Sequence, residues 1–437
     1  MPVAIVERTR PLNKGRDSEP LMVSRDQPRS VSPEVMGQAA RPSGGTEALP
    51  QPNRGRGMAA RRLLFIVNDT TFFASHRLPV AVAAREAGFK VALAALDTGR
   101  LDEIRAHGIA YHPLAVDRTG VNPVRDVRLF CQLSRLIRTV RPTLLHTVTI
   151  KPVIYGGIAA RLCGVPSLVS AVSGLGLVFV DAGRKTSLVR LVVRALYRLA
   201  LGHRNSCAIF QNPDDRQHMV DAGLVPGERT VLIRGSGVDV AVFQPSPPPP
   251  GLPLVIMPGR LLWHKGVGEF VEAAVILRRQ GVPLRMALVG EPPAHNRASV
   301  PRAKIRAWVE QGLIEAWGHR SDMPQVYAEC HIVCLPSYYG EGVPLTLLEA
   351  AACGRPIVTT DMPGCREVVR DGDNGLLIPP RAPEALAEAL RALAGDPARR
   401  LEMGRRGRER AVSEFALDRV IAATLAVYDR LSTTSER

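Results

Sequence analysis

The chain is short of acidic residues, of aromatics and of paired cysteines, and each shortage narrows what it can be. Its 41 Asp and Glu face 57 Lys and Arg, a formal net charge of +16. That excess suits an anionic partner such as a nucleotide phosphate, an acidic membrane surface or nucleic acid. Aromatics make up only 5% and no recognised nucleic-acid module is visible, so nucleic acid is set aside as a partner. The seven cysteines (Cys131, Cys163, Cys207, Cys330, Cys334, Cys353, Cys365) include no Cys-x-x-Cys pair. Most have apolar neighbours, where cysteine acts as a small hydrophobe, so neither a zinc site nor a disulfide framework is indicated and a reducing cytoplasm is expected. The first 57 residues lack the apolar core segment of a secretory signal. The longest charge-free run, Leu162 to Val180, is broken by Gly164, Pro166, Gly174 and Gly176, which favours a buried strand and loop over a membrane span. A soluble or peripheral protein is expected.

What is present suffices for two cores. The length of 437 residues exceeds one ordinary domain, and 46% apolar content is normal for a globular chain. Residues 1–57, rich in Pro, Gly, Ser and Arg, read as a disordered tail that cannot bury enough apolar surface to offset its ordering entropy. Met58, just ahead of the first strand, is an alternative start. Strands then alternate with helices: Leu63–Val67, a helix over His76–Ala87, Lys90–Ala95, a helix near Val127–Val140, Leu144–Thr147, a helix over Val153–Leu162, and Ser167–Val172. This alternation predicts parallel sheets with right-handed crossovers. The run Pro245 to Pro253 reads as a stiff connector. Beyond it the pattern restarts at Leu254–Met257. The expected fold is therefore α/β, with domains at 58–244 and 254–415 joined by 245–253. Two such halves place a ligand between them, off the carboxyl ends of the strands.

Two loops carry the chemistry. In Tyr339-Gly340-Glu341-Gly342-Val343-Pro344-Leu345, after a strand over Ile332–Pro336, Glu341 sits at a strand end and Glu349 about two turns into the following helix. A helix N-terminus suits a diphosphate, and a carboxylate suits vicinal sugar hydroxyls. In Gly259-Arg260-Leu261-Leu262-Trp263-His264-Lys265-Gly266, Gly259 permits close backbone approach. Arg260 and Lys265 there could hold a diphosphate leaving group as it gains charge.

From Gly259 to Pro380 the sequence resembles the donor domain of the large retaining glycosyltransferase family 4, marked by its Glu-x7-Glu motif. The likeness rests on Arg260, Lys265, Leu335-Pro336-Ser337, Glu341, Glu349, Gly354-Arg355-Pro356 and Asp373-Asn374-Gly375. It implies a GT-B fold, two Rossmann-like domains facing each other across a cleft, with residues 416–437 as a terminal helix crossing back to the first. It further implies a nucleotide-sugar co-substrate, a UDP-sugar, no metal, and retention at the anomeric carbon. In that family the position of Glu341 contacts the donor sugar, that of Glu349 the ribose, and those of Arg260 and Lys265 the diphosphate. Gly342, Val343, Pro344 and Leu345 complete the expected donor loop.

The first half departs from the family pattern. Asn68 to Phe73 lacks the usual glycine pair, and Ser173-Gly174 stands where His-Gly is common. His146 and His76 remain as imidazole candidates, His146 as the catalytic one. Ser75-His76-Arg77-Leu78-Pro79, Lys151-Pro152 and Ser173-Gly174-Leu175-Gly176 are similar to transferases that extend polyprenyl-diphosphate-linked sugars. His76, Arg77, Lys151, Ser173, Gly174, Lys185 and Arg190 are thus the expected acceptor side. On a helix over Thr186–Leu201, Arg190, Arg194 and Arg198 recur every fourth residue beside Leu and Val, a pattern suited to an anionic membrane surface. The expected activity moves a hexose or N-acetylhexosamine to a lipid-linked or surface-polysaccharide acceptor at the inner face of the cell membrane. A 2-epimerase-type nucleotide-sugar enzyme and an inactive nucleotide-binding scaffold are the rival readings.

Overall fold

The computed structural model describes residues 61–116, 122–174, 187–294 and 296–434; the expected tail at 1–57 lies outside them. Two parallel sheets organise the chain. The first has strands β1 (Arg62–Asp69), β2 (Lys90–Leu96), β3 (Ala110–Pro113), β4 (Leu144–Val148), β5 (Ser167–Val172), β6 (Ser206–Phe210) and β7 (Thr230–Leu232), in the order β3-β2-β1-β4-β5-β6-β7. The second has β8 (Leu254–Pro258), β9 (Arg285–Val289), β10 (Glu315–Ala316), β11 (Ile332–Leu335), β12 (Ile357–Thr360) and β13 (Gly375–Ile378), in the order β10-β9-β8-β11-β12-β13. Helices cover both faces, so the strands are apolar throughout rather than alternating. Leu63 to Val67, for instance, are each no more than 1% exposed.

The connection between the halves, residues 233–253, carries no helix or strand. It runs beside the last crossover: Val238 N–H donates to the Phe415 carbonyl and Leu417 N–H to the Val238 carbonyl. The terminal helix Leu417–Thr434 then packs on the first sheet. Tyr428 is buried there against Phe89, and the Leu431 carbonyl accepts from Ser167 Oγ and Asn205 Nδ2.

One local expectation changes. The single helix over His76–Ala87 is two helices, Thr70–His76 and Leu78–Glu86, meeting at Arg77. Asp69 accepts the Phe72 N–H at 2.8 Å and caps the first of them. A capped helix thus fills the place where a glycine loop was the family expectation. No described helix is long and apolar enough to cross a membrane.

Candidate active site

The site is assembled at the carboxyl end of β11. Gly266 has a φ of +87°, and a Cβ there would lie 2.1 Å from the Pro336 carbonyl oxygen. Glycine is the residue that permits this approach, and the approach sets Lys265 over the strand end. Lys265 Nζ donates to Glu341 Oε2 at 2.6 Å, and Ser337 Oγ donates to Glu341 Oε1 at 2.7 Å. The Lys265 and Glu341 side chains are only 15% and 16% exposed. Burial pushes the Glu341 carboxyl up, but Lys265, Ser337 and Arg260 together outweigh it and hold the group below its ordinary value. Arg260 itself is exposed at the mouth of the site. Gly259, one residue earlier, is anchored through its N–H to the Val289 carbonyl.

Past Glu341 the chain turns into the helix Leu345–Ala352, with Pro344 at its N-cap. Gly342 and Val343 form the last turn before it, and Val343 N–H donates to Gln211 Oε1 at 3.0 Å. Glu349 lies on the inner side of this helix, 9% exposed, accepting from Tyr327 Oη at 2.8 Å. Burial raises its carboxyl from 4.5 to about 7, against the opposing effect of that hydrogen bond.

The first half meets this loop directly. Gly174 follows β5 with a φ of +97°, and a Cβ there would lie 2.6 Å from the Gly340 carbonyl oxygen and the Gly342 nitrogen. Beside it, Ser173 Oγ is buried without a partner. His76 Nδ1 donates to the Phe72 carbonyl at 3.1 Å, and its ring stacks on Phe72 at 4.2 Å. Burial, then Arg77, and at longer reach Arg260 and Lys265, push the imidazole down to about 4. His76 is therefore neutral at physiological pH and feels the two cations of the other half. Among the described residues no group of three His, Cys, Asp or Glu side chains could hold a metal ion.

Two cations and a buried carboxylate gathered where the neighbouring strands β8 and β11 end, against Gly174 of the other half, offer groups suited to a diphosphate joined to a sugar. The sequence comparisons agree with it. Residues 241–410 match the family described as Glycosyl transferases group 1, and residues 62–212 match Glycosyl transferase 4-like. The chain is a glycosyltransferase that carries a group 1 domain. Over 81% of its length and 95% of the relative's, it is 27% identical to the N,N'-diacetylbacillosaminyl-diphospho-undecaprenol alpha-1,3-N-acetylgalactosaminyltransferase of Campylobacter jejuni. Among solved structures it resembles sucrose-phosphate synthase from Thermosynechococcus elongatus, with a TM-score of 0.70 and 21% identity, covering 86% of this chain and 100% of that one. It also resembles HepE of Anabaena in complex with UDP and glucose, with a TM-score of 0.67 and 19% identity, covering 83% and 99%. The fold of this glycosyltransferase is GT-B.

Several expected site residues of the enzyme are placed differently from their sequence reading. His146 is not at a strand end facing the cleft. It lies within β4, fully buried, its Nδ1 paired with Tyr428 Oη of the terminal helix and its Nε2 without a partner. Burial and then Arg77 push it well below its ordinary value, and its full enclosure keeps His146 from reaching a substrate. Lys151 is not a free cation on the acceptor side; it forms an ion pair with Asp126 at 2.8 Å. Arg77 is 3% exposed, its Nε lacks an acceptor, and burial lowers it to about 10. Lys185 and the Arg190 side chain lie outside the described residues. Tyr327 and Gln211 were not singled out from sequence. Gln211 lies 132 residues from Val343 and Tyr327 lies 22 residues from Glu349, and neither belongs to a motif that flags it.

Proposed function

We propose that this glycosyltransferase moves a hexose or N-acetylhexosamine from a UDP-sugar to a lipid-linked or surface-polysaccharide acceptor, with retention at the anomeric carbon and without a metal. The observation that carries the reading is the Lys265–Glu341–Ser337 cluster beside Arg260, closed over by Gly174 of the other half. In the reaction the bond from the anomeric carbon to the diphosphate oxygen breaks. The acceptor hydroxyl bonds to that carbon on the same face and passes its proton to the leaving phosphate. Charge grows on the diphosphate as this happens, and Arg260 and Lys265 are positioned to meet it. Lys265 is bound to Glu341 beforehand, so the arriving diphosphate shares a cation that is already oriented. Glu341 would accept from a sugar hydroxyl, and Glu349 from the ribose.

The acceptor side draws support from the Campylobacter jejuni relative, whose name specifies a diphospho-undecaprenol substrate, and from the helix Ser187–Leu201. On that helix Leu191, Val192 and Leu199 are 64%, 50% and 44% exposed, on the same face as Arg194 and Arg198. Exposed apolar residues bordered by arginines suit the headgroup region of an anionic bilayer. The reading therefore places the enzyme peripherally on the inner face of the cell membrane.

The test is transfer from a panel of UDP- and GDP-sugars to a short polyprenyl-diphosphate sugar, comparing wild type with Glu341→Gln. Product from one donor, lost in the variant, supports the reading. Nucleotide-sugar turnover without acceptor that yields an epimer would replace it.

A further inference from the structure

We infer that Gln211 is a positioning residue for transfer, an arm of the first half that holds the donor loop in register with the acceptor side. It follows β6 directly, and its backbone is fixed on both sides. The Phe210 carbonyl accepts the Ile233 N–H at 2.9 Å, and Asn212 Oδ1 accepts the Asp215 N–H at 2.7 Å as the cap of the helix Pro213–Asp221. From this base the Gln211 side chain crosses to the donor half and accepts the Val343 N–H at 3.0 Å, with both residues buried.

The fit leaves no slack. A Cβ on Gly342 would lie 1.9 Å from Gln211 Oε1, so the amide occupies the space that any other residue at 342 would fill. Pro344 has no N–H, which makes the Val343 amide the last donor of the loop before the helix. Glu341 is held from its own half by Lys265 and Ser337, and its N–H turns back to the Tyr339 carbonyl at 2.8 Å. Two residues further on, the grip comes from the other half. The carboxylate is thus referenced to its own sheet through its side chain and to the acceptor side through Gln211. A buried amide deprived of its acceptor is driven to find another, and the cheapest movement available is of the loop itself.

This inference rests on the transfer reading above, and its test separates the two. Gln211→Leu keeps the size and removes the acceptor oxygen; Gln211→Glu restores an oxygen. Hydrogen–deuterium exchange across residues 339–343 of the full chain needs no substrate. It is expected to be faster in Gln211→Leu and near wild type in Gln211→Glu. In transfer assays Gln211→Leu should lose on the order of ten-fold or more in kcat, while the Kd for the donor, titrated separately, weakens by clearly less than kcat falls because Lys265 and Ser337 still hold Glu341. Gln211→Glu should recover most of the rate. Unchanged exchange in Gln211→Leu, equal defects in both variants, or a donor Kd weakened as much as kcat falls would each overturn the assignment. A wild type inactive with every donor would count against the transfer reading, and the exchange comparison would still decide Gln211.

Discussion

The buried carboxyl of Glu349 makes a prediction that runs against the usual effect of altering an active site. Its value in the folded chain is about 7, against an ordinary 4.5. A carboxyl raised in this way holds its proton more tightly folded than unfolded. Its stabilising share is whole below pH 4.5 and is lost as the pH climbs through 7. At about 1.4 kcal/mol per pH unit, the loss is about 1 kcal/mol at pH 5 and about 3 kcal/mol at pH 8. Glu349→Gln preserves shape and keeps an oxygen for the Tyr327 hydroxyl, but carries no charge to desolvate. The variant should therefore be more stable than wild type at pH 8, by up to about 3 kcal/mol or roughly 3–4 °C in Tm. Its advantage should shrink to about 1 kcal/mol at pH 5. Thermal unfolding of both proteins at pH 5, 6, 7 and 8 measures the gap. A gap that does not widen with pH, or a variant less stable at pH 8, would refute the idea that desolvation governs this group. The same variant should bind donor more weakly, since a neutral amide is a poorer acceptor for a vicinal diol than a carboxylate.

Other consequences follow from the same geometry. Because a diol favours ionised Glu349, donor affinity measured by calorimetry should strengthen as pH rises from 6 to 8, with proton release; a flat profile would deny Glu349 the ribose. Lys265→Met leaves the Glu341 carboxylate enclosed without its cation and should cost about 3 kcal/mol of stability, part of it regained in the double variant Lys265→Met/Glu341→Gln. Unfolding curves that fail to show this recovery would mean that the pair is not coupled. Gly174→Ala forces a side chain onto a left-handed φ and into the 340–342 backbone, so transfer should fall sharply with a loss above about 1 kcal/mol in stability; normal activity would mean the two halves do not meet there during turnover. Charge reversal at Arg190, Arg194 and Arg198 should abolish sedimentation with anionic liposomes, and unchanged binding would remove this helix from the membrane.

The parallel sheets were legible because buried strands such as Leu63–Val67 and Leu254–Met257 are short apolar runs with turn residues between them. The two segments proposed to bind donor stood out for another reason: Arg260, Lys265, Glu341 and Glu349 belong to local stretches whose spacing carries meaning without the rest of the chain. What sequence did not reveal depends on partners far apart along it. His146 reads as a strand-end imidazole only while the terminal helix is out of view; Tyr428, 282 residues away, buries it. Lys151 reads as an available cation until Asp126 is brought beside it. Lys265 and Glu341 each stood out as candidate ligand groups, yet nothing local signalled that they bind one another. Their pairing matters for the chemistry. Separately desolvated, either charge would be expensive to bury. Together they keep a cation and a carboxylate in place, and in the proposed transfer the substrate would supply the exchange: phosphate oxygens for the ammonium, sugar hydroxyls for the carboxylate. The same logic applies across the halves, where Gly174 and Gln211 act on a donor loop whose motif says nothing of them. Reading such a site therefore requires the partner of each buried polar group, and that information lies in the tertiary fold.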